Sequence, residues 1–291
     1  VRMRDLLSAA RLRERIAHQL EETMPIIRHL GGTAPDVEAI TEQYLTYGES
    51  LRPHIQDATR VLSDEMKRGQ HVLFEGAQGA LLDVDHGTYP FVTSSTTLAA
   101  GACVSCGVGP TAISSVIGIA KAYTTRVGAG PFPTELHGEQ GELLRQAGAE
   151  FGATTGRPRR CGWLDIAALR LAVRLNGMAG LALTKLDVLA GQRKLKVCVG
   201  YKLASEAGGS GTNEVLDELP LDPEDILRAV PIYEELDGWD AELKNVREVE
   251  DLPSSAKRYV RRIETLLGID CCLISVGPGR AETIMLKNPF R

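Results

Sequence analysis

The first 69 residues carry hydrophobic side chains at helical spacing, and this pattern predicts a helical lobe. One apolar stripe, of the kind that a single helix presents, recurs every three to four positions at Leu51, Ile55, Ala58, Leu62 and Met66. The run Thr33-Ala34-Pro35-Asp36 resembles a capping box with proline in the first turn, so a helix is predicted to begin after the Gly31-Gly32 break. We expect this lobe to serve packing, because it carries no obvious chemistry.

From residue 71 the pattern changes to short apolar runs that alternate with segments of helical periodicity. Strands are predicted at residues 71–74, 116–120, 180–183, 195–199 and 272–274, and helices at residues 164–175 and 255–267. This alternation predicts an α/β fold, in which binding loops follow the carboxyl ends of the strands. Residues 204–222 are rich in Gly, Ser, Glu and Asp, which predicts a surface excursion.

Composition narrows the class of protein. The chain has 291 residues, of which 43% are hydrophobic and 24% charged, as in ordinary globular proteins. Its net charge of −5 argues against general binding to nucleic acid or to an anionic membrane. No apolar run approaches the roughly 20 residues of a membrane span. The six cysteines are scattered, which favours reduced thiols in a cytoplasmic protein. Cys103 and Cys106 have no second CxxC pair or nearby histidine cluster to complete a zinc site.

The tetrad Thr184-Lys185-Leu186-Asp187 follows the predicted strand at 180–183. A carboxylate at a strand end accepts hydrogen bonds from both the ring N1–H and the exocyclic amine of guanine, whereas adenine offers no such donor pair. The aliphatic stem of Lys185 would lie over the base. The alternative is that Lys185 and Asp187 form an ordinary surface pair.

A polar loop follows the predicted strand at 71–74. It contains Gln78-Gly79 and the run 83–95, whose amides and hydroxyls suit a phosphate and a purine edge. Asp83, Asp85 and His86 also raise the alternative of a metal site, against turn and capping roles.

Two further loops carry candidate chemistry. Arg157, Arg159 and Arg160 lie in a glycine-bracketed loop at residues 152–163, and their mutual repulsion favours a bound anion. A solvated basic turn is the alternative; an RNA-binding turn is disfavoured by the acidic balance and the 5% aromatic content. Residues 275–279 follow the last predicted strand. Their hydroxyl and backbone amides could contact a base or ribose, and a plain turn is an equally good interpretation.

The segments F-E-G-A-Q-G, D-H-G-T-Y-P-F-V-T-S-S, T-R-V-G-A-G-P-F-P-T-E, G-A-T-T-G-R-P-R-R-C-G-W-L-D and T-K-L-D resemble adenylosuccinate synthetase in order and spacing. The resemblance covers essentially the whole chain and is tightest over residues 74–189. It implies a GTP-dependent ligase that phosphorylates the 6-oxygen of IMP and then displaces the phosphate with the amine of L-aspartate, giving adenylosuccinate for the AMP branch of purine biosynthesis. The alternative is a guanine-nucleotide-binding pseudoenzyme or regulatory module without catalysis.

The resemblance also implies binding roles for three sets of residues. IMP is expected at Gln78, Leu82, Thr93, Val127 and Arg157. L-Aspartate is expected at Ala153, Thr154, Thr155, Gly156 and Arg157. GTP is expected at Arg159, Lys185, Leu186, Asp187, Ser275, Val276 and Gly277. Thr96 stands where the family often has asparagine, which bears on one contact near the IMP loop.

The family's G-D-E-G-K-G-K phosphate loop and G-G-x-N-A-G-H segment do not occur in this sequence. The resemblance places the catalytic residues and the Mg²⁺ ligands in those segments. It therefore implies that this chain is the C-terminal two-thirds of the enzyme and inactive alone. It further implies a cytoplasmic homodimer. The expected architecture is a helical lobe at 1–69, a P-loop-NTPase-like sheet portion without its N-terminal strands at 70–122, and a C-terminal α+β lobe at 123–291.

Overall fold

The computed structural model describes residues 1–152, 156–204 and 215–288. The chain forms two compact units, Val1–Val72 and Leu73–Arg291. The predicted division between residues 122 and 123 falls inside the second unit and stays a prediction.

The first unit is helical, as its hydrophobic spacing predicts. Its helices are α1 (Ala9–His29), α2 (Val37–Leu51) and α3 (Ala58–Lys67). Leu6, Leu12 and Ile16 are buried and pack against apolar side chains of α2. This small core joins α1 to α2, because each helix turns one apolar stripe toward the other.

Two local predictions for this unit are wrong. Asp36, and not Thr33, caps α2: its carboxylate accepts hydrogen bonds from the backbone N–H groups of Glu38 and Ala39. The stripe from Leu51 to Met66 also does not lie on one helix, because α2 ends at Leu51 and α3 begins at Ala58. Pro53 cannot donate a helical hydrogen bond, and Asp57 caps the new helix.

The second unit has a mixed α/β fold, as predicted. Its strands are β1 (Ile117–Lys121), β2 (Thr124–Arg126), β3 (Arg160–Gly162), β4 (Leu164–Asp165), β5 (Gly180–Thr184), β6 (Gln192–Leu203), β7 (Val215–Leu216), β8 (Ala229–Trp239), β9 (Cys271–Ser275) and β10 (Thr283–Met285). Its helices are α4 (Ala100–Cys106), α5 (Glu139–Ala147), α6 (Ile166–Asn176), α7 (Pro223–Arg228) and α8 (Ser254–Leu267).

One sheet of this unit positions the candidate loops. Its strand order is β1-β5-β9-β10; the first three strands run parallel, and β10 runs antiparallel to β9. A second sheet pairs β6 with β4, β7 and β8, and β2 pairs with β3. The main core contains Leu183 of β5, Leu195 of β6 and Ile263 of α8. Because three parallel strands end at one edge, the loops after β1, β5 and β9 lie close together.

Three sequence expectations need correction here. Residues 71–74 form no strand, and Leu73 is 75% exposed; a strand needs a neighbour to bond, and no described strand lies beside this run. The helix predicted from residue 164 begins at Ile166, because Asp165 ends β4 and caps α6. Of the excursion at 204–222, residues 205–214 lie outside the described residues, and the remainder includes β7.

Candidate functional site

The tetrad Thr184-Lys185-Leu186-Asp187 lies where β5 ends, as predicted. Thr184 is the last strand residue, and its carbonyl accepts a 2.8 Å hydrogen bond from the backbone N–H of Ala122 after β1. Lys185 adopts a left-handed backbone conformation with φ of 59°. That turn starts a short 3-10 helix, Leu186–Leu189, whose first side chain is fully buried. The strand and this turn together fix the direction of Asp187.

Asp187 carries an unsatisfied acceptor. Its Oδ1 atom is buried and has no hydrogen-bond partner within the described ranges. Burial raises the pKa of the Asp187 carboxyl; the charge of Lys185 opposes this rise and that of Glu282 adds to it. Since a buried carboxylate oxygen without a donor is costly, this atom is a candidate acceptor for a ligand's N–H group.

The loop after β9 is shaped by Glu282. The Oγ of Ser275 donates a 2.7 Å hydrogen bond to the carbonyl of Gly277. The backbone N–H of Gly279 donates a 2.6 Å bond to Glu282 Oε2, and the N–H of Val276 donates to the Glu282 carbonyl. A Cβ atom on Gly277 would come within 2.6 Å of the same carboxylate. Glycine at this position therefore lets the loop pass the Glu282 carboxylate without displacing it.

Hydrogen bonds join the described residues on the two sides of the arginine loop. The N–H of Gly152 donates to the carbonyl of Arg157 at 2.8 Å, and the N–H of Gly156 donates to the carbonyl of Gly152 at 2.8 Å. Gly156 has a φ of 63°, which a glycine adopts without strain, and Arg157 is exposed. The predicted aspartate contacts Ala153, Thr154 and Thr155 lie outside the described residues.

The three arginines of this loop do not share one anion, contrary to the clustering argument. Arg160 forms a bidentate pair with Glu135, in which Arg160 Nε lies 2.8 Å from Oε1, and also donates to the carbonyl of Gly130 at 2.8 Å. Arg159 instead pairs with Glu150. The pattern of charges alone does not reveal these acidic partners, which lie 9 positions from Arg159 and 25 positions from Arg160.

Glu150 is the centre of a buried charge cluster. Its side chain is fully buried, and its oxygens accept hydrogen bonds from Lys121 at 2.8 Å, Tyr123 at 2.6 Å and Arg159 at 2.8 Å. The ammonium of Lys185 lies 3.5 Å from Oε1. Burial alone would raise the pKa of Glu150, but the hydrogen bonds from Lys121 and Tyr123 outweigh it and lower the pKa to about 2. Glu150 is therefore ionised.

Part of the predicted IMP set lies in the 79–97 loop. The N–H of Thr93 donates a 2.8 Å bond to the carbonyl of Leu82, so these two candidates are adjacent. Asp83 is fully buried and accepts from the N–H groups of Asp85 and His86 at 3.0 Å and of Thr97 at 2.8 Å. Its oxygens therefore organise the loop.

The metal alternative for this loop gains no support. Across residues 1–152, 156–204 and 215–288, no group of three or more His, Cys, Asp or Glu side chains is arranged to hold a metal ion. Backbone N–H groups donate hydrogen bonds to the Asp83 carboxylate, so its role in the loop is that of a capping residue.

Arg126 joins this loop to the one that carries Val127. Its Nη2 donates to Thr88 Oγ1 at 2.9 Å and to the carbonyl of Phe91 at 3.2 Å, while its Nε donates to the carbonyl of Ala129. Val127 is 52% exposed beside this junction, and Gln78 is exposed. Leu82, Thr93 and Val127 therefore belong to one connected set of loops.

The structure thus joins several of the predicted GTP contacts through two acidic residues that sequence reasoning missed. Glu150 forms ion pairs with Arg159 and Lys185. The carboxylate of Glu282 lies against the loop that carries Gly277, and its charge raises the pKa of Asp187. Glu282 had a local signal, because it bonds a backbone group three residues earlier. Glu150 had none, since its partner Lys121 lies 29 positions away.

Three parallel strands with the candidate loops at their carboxyl ends place the second unit among α/β proteins, which bind ligands at that edge of the sheet. The adenylosuccinate synthetase family matches residues 1–284 of the chain. The chain therefore belongs to the adenylosuccinate synthetase family.

Individual relatives agree. The adenylosuccinate synthetase of Myxococcus xanthus is 52% identical, with 100% of this chain aligned to 66% of that protein. That of Caldanaerobacter subterraneus is 50% identical over 99% of this chain and 66% of the relative. A solved structure of fully ligated adenylosuccinate synthetase from Plasmodium falciparum has a TM-score of 0.90 and 35% identity, covering 97% of this chain and 65% of that one. The chain thus spans about two thirds of the length of these relatives.

Proposed function

We propose that the protein carrying this chain is a GTP-dependent ligase that joins IMP and L-aspartate to give adenylosuccinate. Family membership supports the proposal, and so does the 52% identity to a protein of that name. The single observation that carries the guanine assignment is the buried, unpaired Oδ1 of Asp187 at the end of β5. Guanine supplies the two N–H groups that such a carboxylate lacks, and adenine does not.

The chain's own residues divide the binding task in this proposal. Asp187 reads the guanine edge, Lys185 and Leu186 border the base, and the loop at 275–277 faces it from β9. Arg159 contributes positive charge toward GTP. Leu82, Thr93 and Val127 contact IMP together with Gln78 and Arg157, and the loop at 153–157 holds L-aspartate.

The proposed reaction explains why positively charged side chains are needed at this site. The 6-oxygen of the purine is a poor leaving group until it is phosphorylated, and fixed cations stabilise the charge that develops during phosphoryl transfer. Mg²⁺ would supply further charge stabilisation. The described residues offer no three-ligand group for it, so we assign it no step here.

We extend the proposal to a cytoplasmic homodimer. The family resemblance supports both parts. No helix in the described part of the chain is long and apolar enough to cross a membrane.

The test is product formation. The full protein, with any sequence that flanks this chain, is incubated with IMP, GTP and L-aspartate, and adenylosuccinate and GDP are quantified by chromatography and mass spectrometry. We expect product that depends on all three substrates. GTP binding without adenylosuccinate would instead favour the pseudoenzyme alternative, which no observation now favours.

A further inference from the structure

Four basic and phenolic groups converge on one buried carboxylate in this unit. Lys121 is the last residue of β1, and Tyr123 lies two positions further on. Arg159 belongs to the arginine loop, and Lys185 begins the turn after β5. Glu150 lies 2.6–2.8 Å from the first three donors. One acidic residue therefore contacts three separate segments that meet at the sheet edge.

The position of Glu150 is itself set by the backbone. Ala149, directly before it, has a φ of 47°, which non-glycine residues rarely adopt. Lys185 donates to the carbonyl of Gly148 in the same turn. A Cβ atom on Gly148 would come within 2.2 Å of the Tyr123 hydroxyl, so the turn lies directly against the cluster. The 148–150 turn thus fixes both the carboxylate and one of its cations.

The cations need this carboxylate because they repel one another. Burial lowers the pKa of Lys121, and the positive charges of Arg159 and Lys185 lower it further, while Glu150 opposes the shift. Without a central anion, the flexible side chains of Arg159 and Lys185 would separate toward solvent. A nucleotide would then meet disordered cations and would have to order them on binding.

We propose that Glu150 is a positioning residue of the nucleotide site, whose buried carboxylate holds Arg159 and Lys185 in the geometry that accepts GTP. This inference rests on the proposed function, because it takes these two cations as GTP contacts. Glu150 itself is enclosed and touches no substrate. It acts by joining the guanine-reading turn to the arginine loop.

The test is Glu150→Gln in the full protein, read as separate KM values for GTP, IMP and L-aspartate. The amide keeps the shape of the side chain but loses the charge. We expect the KM for GTP to rise roughly tenfold, the usual effect of losing a charged hydrogen bond, while the KM for IMP changes less than about twofold. Tyr123→Phe, which removes one neutral donor and leaves the charge, should raise the KM for GTP by a smaller factor.

Asp165→Asn is the matched control, because Asp165 is also a buried carboxylate of this unit but contacts none of the candidate residues. A purely structural Glu150 would move all three KM values together, or would lower thermal stability with KM unchanged, and either result overturns the proposal. If Glu150→Gln does not fold, Tyr123→Phe and Lys121→Met provide the test. The proposal requires that these variants raise the KM for GTP more than the KM for IMP or L-aspartate, and the absence of such a rise contradicts it.

Failure of the proposed function is distinguishable from failure of this inference. Wild-type protein that makes no adenylosuccinate contradicts the function, and GTP affinity is then measured directly by calorimetry. A wild-type-like GTP affinity in Glu150→Gln contradicts the positioning role in either case.

Discussion

The hydroxyl of Tyr201 donates a 2.5 Å hydrogen bond to Oδ2 of Asp165, and both side chains are buried between β6 and the start of α6. The other oxygen of Asp165 accepts from the N–H of Ala168 and caps that helix at 3.0 Å. Burial raises the pKa of Asp165 to about 6 despite these bonds. Burial likewise raises the pKa of the neighbouring Cys198 to about 12, so Asp165 is the group of this cluster that titrates near neutrality.

This raised pKa gives a first prediction, on stability. The folded state holds the Asp165 proton more tightly than the unfolded state does, so this group's contribution falls as pH rises from about 4 to about 6. Asp165→Asn keeps the cap and removes the titration. We expect the free energy of unfolding of the variant, minus that of wild type, to grow by roughly 2–3 kcal/mol from pH 4 to pH 7.

The measurement is urea denaturation followed by circular dichroism at several pH values. Taking the difference between variant and wild type removes the contributions of other groups, such as Glu150, whose lowered pKa acts at more acidic pH. A difference that stays constant with pH would mean that Asp165 is ionised as easily in the folded protein as in the unfolded chain.

A second prediction concerns the loop after β9. In Gly277→Ala, the new methyl group would meet the Glu282 carboxylate at 2.6 Å, so the loop or that side chain must move. We expect weaker GTP binding with little change in IMP binding. Gly109→Ala is the control, because nothing lies within 4 Å of a Cβ there. Equal losses in the two variants would show that the close approach at Gly277 has no bearing on GTP.

Sequence reasoning succeeded where local pattern determines structure. The helix predicted at 255–267 spans Ser254–Leu267, because Tyr259, Val260 and Ile263 form one buried face. The strand at 180–183 and the turn carrying Lys185 were also predicted. The strand prediction for residues 71–74 is wrong, because a strand needs a neighbouring strand and the hydrophobicity of the run does not show whether one is present.

The sequence also predicts some features of the candidate site and leaves others to the fold. Motif resemblance proposed Asp187, but only the fold shows that one of its oxygens is buried without a described partner. The role of Glu150 depends on three segments distant in sequence, and no local pattern reports such a meeting. Arg160, by contrast, looked available for an anion and is held by Glu135.

A third prediction addresses guanine choice. In Asp187→Asn, one acceptor becomes a donor that faces the donors of the base, and we expect a loss of about 1–3 kcal/mol in GTP binding. The preference of GTP over ITP should fall with it, because ITP lacks the exocyclic amine. Asp237→Asn, which alters an exposed pair with Lys194, serves as the control. Unchanged GTP and ITP constants would remove the guanine-reading role.

The last prediction distinguishes Arg157 from Arg159 in the arginine loop. Arg157 is exposed at the turn that the resemblance assigns to L-aspartate, whereas Arg159 is anchored to Glu150 on the side of Lys185. Because Glu150 holds Arg159 beside Lys185 while Arg157 lies exposed, the two guanidinium groups have different surroundings and can bind different anions. In the full protein, Arg157→Leu should therefore raise the KM for L-aspartate, and to a lesser degree that for IMP, far more than the KM for GTP. Arg159→Leu should act mainly on GTP. Steady-state kinetics with each substrate varied in turn measure these KM values. Arg262→Leu is the control, because it breaks an ion pair between Arg262 and Glu234 that involves none of the candidate site residues. If both loop variants raised all three constants equally, the loop would support the fold without dividing the substrates between its arginines.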